Sequence, residues 1–591
     1  MKTTGYLTIL FLFAIVFHSF SQDCDCDYLI TPSNYKLKYV REDIPGNVIC
    51  IKGGVYERIW FENFHGTKDK PIIIRNCDGQ VVLKHENATH GGFAFINCTH
   101  VHFTGTGDSK VKYGFKVNNT ITGSGVSVNG LSNQVEIDHV EISNTHFAGL
   151  IIKTDPVCDD PRTWRENFLM ENVVVHDNYI HDTRGEGVYI GFTKFIKCGA
   201  DTIYGHAIKN LKVYNNIVER TGWDGIQISN AHEGCEIYGN TVRDYAVLNA
   251  GSHKHGLLMG GYTSGKVYNN YIHKGAGPGI TTFGFGDVYV YNNIIVEAGD
   301  HGIFCDDRST IPGKGFHFIN NTIVKPGENG VRMYSYQSSG NVFYNNLIVE
   351  PGAYDAYENS GSWWGKGVDS YIYINRSKPI DFDSAGNCFV RYVEDAGFRD
   401  WQGDDYGLIE GAKGIDKGVE VKKYGISFDF AGSKRPNGLY DAGAFEFYKE
   451  TVPPVDEEEP VVDEEEPIVD EEEPIVDEEE PIVDEEEPVV DEEEPGADEG
   501  EIVEDGVNIF PNPIRGSGWL KMKLRLQEDS PISVLIYNLN GALVDTVVEN
   551  ARAAKGVNRL EHRLDERMSN GVYLVILRYN KGQQVKKLLI Q

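Results

Sequence analysis

Short runs of alternating apolar and polar residues fill the chain from Val135 to Gly352, and the same punctuation separates them. An Asn-Asn pair or a variant of it is followed by an apolar residue, a turn, and then Gly-Ile or Gly-Val with another alternation. The pairs are Asp177-Asn178, Asn215-Asn216, Gly239-Asn240, Asn269-Asn270, Asn292-Asn293, Asn320-Asn321 and Asn345-Asn346. Their second members lie 38, 24, 30, 23, 28 and 25 residues apart. A repeat of about 20 to 50 residues marks a solenoid, and period-two alternation marks strand. The pattern therefore predicts an all-β fold, a right-handed parallel β-helix, whose inward Ile, Val and Leu stack from rung to rung. Asn suits such a column because it tolerates the left-handed turn conformation and its amide both donates and accepts.

Aligning the rungs on the Gly after the turn places side chains in columns about 4.8 Å apart. The residue before that Gly reads Ala148, Glu186, Asp224, His255, Pro278, His301 and Asn329. Two positions after it stand Ile151, Tyr189, Gln227, Leu258, Thr281, Phe304 and Arg332. Ionisable groups on neighbouring rungs are a candidate catalytic edge, although turn positions are polar in any solenoid. Eleven of the 18 histidines lie between His139 and His317, and His253-Lys254-His255 is the densest spot. Glu186, Asp224, Lys254, His255, His301 and Arg332 are the candidate catalytic residues. Asp306-Asp307 next to Arg308 is a candidate carboxylate pair for Ca2+, which takes oxygen ligands.

Two rungs carry long inserts, Thr154–Asn172 and Phe192–Asn210, of a length uncommon without a function. They could wall a groove beside Glu186 and Asp224, with Cys158 and Cys198 in equivalent places and available to bridge. Tyr189, Trp223 and Tyr334 are expected to offer flat faces to sugar rings, with Arg162 and Lys194 as basic contacts; Trp164 and the Trp363-Trp364 pair are further aromatic candidates.

At the N-terminus Lys2, the apolar run Leu7–Phe17 and Ser19-Phe20-Ser21 read as a signal peptide over residues 1–21. The run is too short to span a bilayer, so export without a membrane span is expected. Ten cysteines follow, an even number that permits disulfides without fixing their pairing. Cys24-Asp25-Cys26 has the wrong spacing for zinc.

The formal charge of −33 does not describe the folded part. From Asp456 to Asp505 there are 29 acidic residues and no Lys or Arg, which leaves 59 acidic against 55 basic residues elsewhere. A basic nucleic-acid-binding surface is excluded. From Pro460 to near Pro495 the chain repeats Pro-Val/Ile-Val-Asp-Glu-Glu-Glu every seven residues, and carboxylate repulsion with a proline per repeat predicts a disordered linker over 451–506.

Beyond it, Val507-Asn508-Ile509-Phe510-Pro511-Asn512-Pro513, the alternation Ile532–Tyr537, the turn Asn540-Gly541, Asn570-Gly571-Val572-Tyr573-Leu574-Val575 and Lys586-Lys587-Leu588-Leu589-Ile590 are similar to the C-terminal sorting domain of the type IX secretion system. The resemblance covers 507–591 and implies a small β-sandwich, passage across an outer membrane by that machinery, and a cargo that is secreted or held at the cell surface. Ile51-Lys52-Gly53-Gly54-Val55-Tyr56 and Gly66–Arg75 resemble the opening rungs of secreted pectate-lyase-like β-helix proteins. Phe428–Gly432 and Asp441–Glu446 resemble their closing segment. The β-helix with its caps is thus expected over 22–450.

That second resemblance implies a polysaccharide substrate, and it is an analogy of fold. The expectation is a polysaccharide lyase acting by β-elimination on an anionic polymer, with Ca2+ on Asp306 and Asp307, or Arg332, neutralising the uronate and Lys254, His255 or His301 as base. A glycoside hydrolase using Glu186 and Asp224 is the first alternative, and a non-catalytic adhesin or glycan-binding solenoid the second. The catalytic motifs of polygalacturonases, alginate epimerases and chondroitinase-B-like lyases are absent, so these roles rest on column geometry.

Overall fold

The computed structural model describes residues 24–84, 91–334, 337–357, 370–374, 381–436 and 438–448 of the first unit, and 507–510, 514, 519–526, 528–538, 543–564, 568, 571–580 and 582–590 of the second. The signal peptide, the acidic repeat, Trp363-Trp364 and Asn540-Gly541 lie outside the described residues.

Three short strands make one rung of the first unit. In one rung these are Val174–His176, Tyr179–His181 and Val188–Ile190, and in the next Lys212–Tyr214, Ile217–Glu219 and Ile226–Ile228. Each strand pairs in parallel with its equivalent one rung on: Val175 faces Val213 and Ile180 faces Val218. The inward positions form continuous apolar columns, such as Val175, Val213, Ile237, Val267, Val290, Phe318 and Phe343, all fully buried. Each such side chain contributes roughly 1.5 to 3 kcal/mol on burial. The result is a parallel β-helix.

The corner between the first two strands explains the Asn pairs, and it divides between two residues the roles expected of one. The first member takes the left-handed conformation, with φ of 53° at Asn215, 53° at Asn269 and 52° at Asn292. The second member points inward and forms the ladder. The Nδ2 of Asn178, Asn216, Asn240, Asn270, Asn293 and Asn321 each donates to Oδ1 of the next, at 3.0 Å. Every acceptor also takes a backbone N–H, as where Asn216 N donates to Asn240 Oδ1 at 3.1 Å.

The glycine that opens the third strand is dictated by close packing. A Cβ at Gly187 would sit 2.3 Å from Val218 Cγ1 and 2.7 Å from the Gly225 carbonyl oxygen. Only glycine lets the turn come this near the strand beneath, so the residue before it is carried to the same edge in every rung.

Cys24 pairs with Cys77 and Cys26 with Cys50 across the first rungs, so the Cys24-Asp25-Cys26 thiols are spent in disulfides. The expected closing segment does more than cover the last rung. Asn320 Nδ2 donates to the carbonyls of Asp441 and Gly443, and Arg435, buried and paired with Glu446, donates to Asn292 Oδ1. It packs along the flank of interior rungs and satisfies the corner asparagines there.

The second unit has a three-stranded antiparallel sheet (Val507–Phe510, Trp519–Leu526, Gly556–Arg563) and a four-stranded one (Leu543–Ala553, Ser530–Asn538, Gly571–Tyr579, Gly582–Ile590). Leu520, Leu524, Val534, Ile536 and Val575 close one core between them. Among the described residues no helix is long and apolar enough to cross a membrane.

Candidate active site

The register of the third strands makes the column of residues before the glycine a physical one. Val188 pairs with Ile226, Ile226 with Leu257, Leu257 with Ile280, Ile280 with Ile303 and Ile303 with Val331. The backbone ladder runs through it, with Gly187 N donating to Asp224 O at 3.0 Å and Gly225 N to His255 O at 2.9 Å. Glu186, Asp224 and His255 therefore stand on successive rungs of one edge, with His301 two rungs further.

Glu186 and Asp224 are almost wholly enclosed, and burial pushes both carboxyls toward the neutral form. Glu186 is pushed up to about 7, with Lys153 opposing the rise. Asp224 lies well above its ordinary range, from burial first and Glu186 beside it after. Asp224 Oδ1 accepts the backbone N–H of His255 at 2.8 Å. Its Oδ2 and Glu186 Oε2 have no hydrogen-bond partner.

His253 completes the group. It reaches back from the loop between Thr241–Tyr245 and Leu257–Met259, with Nδ1 at 3.8 Å from Glu186 and 3.9 Å from Asp224. Its Nδ1 is buried and faces the two carboxyls without a hydrogen-bond partner, while the side chain as a whole is 40% exposed. Its ring stacks on Trp223 at 4.7 Å. Burial and then Lys194 lower its pKa, which favours the neutral imidazole. His255, the expected candidate, is turned away: its Nδ1 meets Thr281 Oγ1 at 2.8 Å, and burial pulls it down to about 4.

A second ionisable group lies further along the same edge. His301 is enclosed, with Nε2 at 3.1 Å from Asp300 and 3.9 Å from Glu328. Burial raises Asp300 to about 6, against the pull of Lys254 and Arg332. Gly277 occupies the rung between Lys254 and Asp300, where a Cβ would come within 2.6 Å of Lys254 Cβ. Arg332 is buried, with Nη2 donating to Tyr334 Oη at 3.0 Å and its guanidinium over Tyr373.

Other sequence candidates sit elsewhere. Asp306 and Asp307 do not form a pair: Asp306 binds Arg308, while Asp307 is buried and accepts the backbone N–H groups of Gln337 and Ser338, both at 2.7 Å. Among the described residues neither joins a cluster of three His, Cys, Asp or Glu side chains able to hold a metal. Tyr189 and Tyr334, expected to present open faces, are each 9% exposed, with Lys153 over Tyr189. Arg162 pairs with Asp160 out on its insert. The two inserts are tied by a Cys158–Cys198 disulfide, and Leu169–Glu171 and Ala207–Lys209 pair within them. Trp164 caps its own insert, donating from Nε1 to Val157 O at 2.8 Å.

His253, Asp300 and Glu328 were missing from the catalytic set read from sequence. His253 had no periodic signal because its loop has no counterpart in other rungs. Asp300 and Glu328 were readable one column earlier, where residues two before the glycine run Gly185, Trp223, Lys254, Gly277, Asp300, Glu328.

Residues 201–369 match the family model described as the right handed beta helix region, and residues 508–591 match the secretion system C-terminal sorting domain. The chain carries a right-handed β-helix domain and a type IX sorting domain that sends it to the cell surface or beyond. No curated protein sequence matches it. Among solved structures it is similar to pectate lyase Pel9A, at 13% identity and TM-score 0.42 over 72% of this chain and 97% of that one. A lacto-N-biosidase from Eubacterium ramulus aligns at 12% identity and TM-score 0.35, covering 60% and 63%. An alginate lyase from a Paenibacillus species aligns at 15% and 0.27, covering 60% and 99%.

Proposed function

We propose that this exported chain is a carbohydrate-active enzyme, a polysaccharide lyase that cleaves an anionic polymer by β-elimination with His253 as base. The observation that carries the reading is the part-exposed imidazole whose Nδ1 faces two buried carboxyls at 3.8 and 3.9 Å. In β-elimination a base removes the proton on C5, beside a uronate carboxylate, a C4–C5 double bond forms, and the glycosidic oxygen leaves from C4 and takes up a proton from water. His253 would take that proton on Nε2. Glu186 and Asp224 are positioning residues here: as Nε2 gains a proton, the Nδ1–H can be shared with a carboxylate, which stabilises the imidazolium. The gaps of 3.8 and 3.9 Å exceed a hydrogen bond, and tightening on substrate binding is the usual behaviour of such groups. Lys153, Lys194 and Lys254 act electrostatically on Glu186, His253 and Asp300 respectively, and the reading gives them the uronate carboxylates.

Hydrolysis is the second reading, because acceptor atoms of Glu186 and Asp224 lie within 4.8 Å of each other. Retaining glycosidases place their two carboxyl groups about 5 to 5.5 Å apart. A panel of anionic and neutral polysaccharides separates the two. Products absorbing in the ultraviolet through a new C4–C5 double bond support the lyase, new reducing ends without that absorbance support the hydrolase, and binding without either product leaves a glycan-binding solenoid.

A further inference from the structure

The outer face of the coil carries a second constellation, unused by the chemistry above. Three neighbouring strands, Thr99–Thr104, Asn133–Asp138 and Val174–His176, pair in register, with His102 opposite Glu136 and Asp138 opposite both Thr104 and His176. Val101, Phe103, Val135, Ile137 and Val175 point inward and are buried, so alternation turns His102, Glu136, Asp138 and His176 to the same outer face.

Two imidazole nitrogens converge there on one carboxylate oxygen. His102 Nε2 is 2.6 Å from Asp138 Oδ2, and His176 Nε2 is 3.8 Å from that oxygen and 3.1 Å from Glu136 Oε1. His102, Glu136 and Asp138 each offer a donor atom within 4.8 Å of the others. The surroundings already orient them. His176 Nδ1 lies 2.7 Å from Asp177 Oδ2, which fixes Nε2 as the nitrogen facing the cluster. Asp138 Oδ1 is held by Thr104 at 2.7 Å and His139 at 2.6 Å, leaving Oδ2 for the centre. A carboxylate behind the far nitrogen of a histidine is the usual outer shell of a metal-bound imidazole.

We propose that His102, His176, Asp138 and Glu136 form a binding site for a divalent metal ion of the zinc type, clamping three rungs. Two imidazoles and two carboxylates are a four-ligand set for tetrahedral Zn2+, with metal–ligand distances of about 2.0 to 2.2 Å. Such distances place ligand atoms about 3.3 Å apart, between the 2.6 and 3.8 Å that here separate the imidazole nitrogens from the carboxylate oxygens. Calcium, which takes six or more oxygens, is a poor match for a set that is half nitrogen. The inference does not depend on the reading of the Glu186 edge, and either can fail alone.

The test is titration of the full exported chain with Co2+, whose visible absorption is intense only in a tetrahedral site, followed by displacement with Zn2+. The expected result is one such band, its loss in a His102→Gln/His176→Gln double variant, and a rise in thermal midpoint with Zn2+ in the parent chain only. Both histidines face outward, so the variant is expected to fold, and an unchanged circular dichroism spectrum without metal verifies it. A Glu186→Gln/His253→Ala variant is expected to keep the band. Absence of a tetrahedral band, or a band that survives in the double histidine variant, would overturn the proposal. The four side chains would then be a network of ion pairs between rungs.

Discussion

Glu186 and Asp224 occupy one position on adjacent rungs, fixed side by side by the hydrogen bond from Gly187 N to Asp224 O at 3.0 Å. Two buried carboxyls so placed cannot both ionise cheaply, and they titrate as a pair. Replacing either with its amide keeps the shape and an acceptor oxygen but removes the negative charge that stabilises the His253 imidazolium. Glu186→Gln and Asp224→Asn are each expected to lower kcat by roughly 100-fold or more with little change in KM. Steady-state kinetics on the substrate found by the panel checks this.

The same carboxyl makes stability depend on pH. Glu186 is raised from 4.5 to about 7 by burial, so the folded state binds its proton more tightly than the unfolded chain. Stability from this group is present in full below about pH 4.5 and is lost as pH rises through about 7. Above pH 7 the Glu186→Gln variant is expected to melt higher than the parent, with the difference shrinking toward pH 4.5. Melting curves across that range decide it, and a constant difference would contradict it.

The asparagine ladder predicts a steep cost for a small change. Asn240 Nδ2 donates to Asn270 Oδ1 at 3.0 Å and to Val213 O at 2.9 Å, while its Oδ1 accepts from Asn216. Asn240→Ala leaves several buried groups unpaired, at about 1 to 3 kcal/mol each. It is expected to lower the thermal midpoint far more than Asn387→Ala at the partly exposed end of the ladder. Equal losses would show that the ladder is not a cumulative structure.

Much of the coil was legible because its physics is periodic. Asn216 or Ile226 announces itself by recurring, and register follows once one glycine such as Gly225 is aligned with the next. The edge Glu186–Asp224–His255 was readable for that reason. His253 was not, because a loop that returns to the edge leaves no mark in a column. The fates of Tyr189 and Asp307 were hidden too, since only the packed structure reveals that Lys153 covers one ring and that Gln337 and Ser338 occupy one carboxylate. The division of roles between Asn215 and Asn216 needed coordinates as well.

The Cys158–Cys198 disulfide joins the two inserts and leaves the rungs to their own pairing. A Cys158→Ser/Cys198→Ser double variant is expected to keep the main unfolding transition and to be cut faster by protease within 192–204. Limited proteolysis with mass mapping checks this, and loss of the main transition would mean that the inserts hold the coil together.

In the proposed reaction His253, backed by Glu186 and Asp224, removes a proton from a polysaccharide. Its most direct test compares product formation by the parent chain and by His253→Ala on the anionic polymer that the parent degrades. The account predicts unsaturated products from the parent and at least a roughly 100-fold slower release from the variant, with polymer binding retained. Undiminished release of the same products by His253→Ala would contradict it.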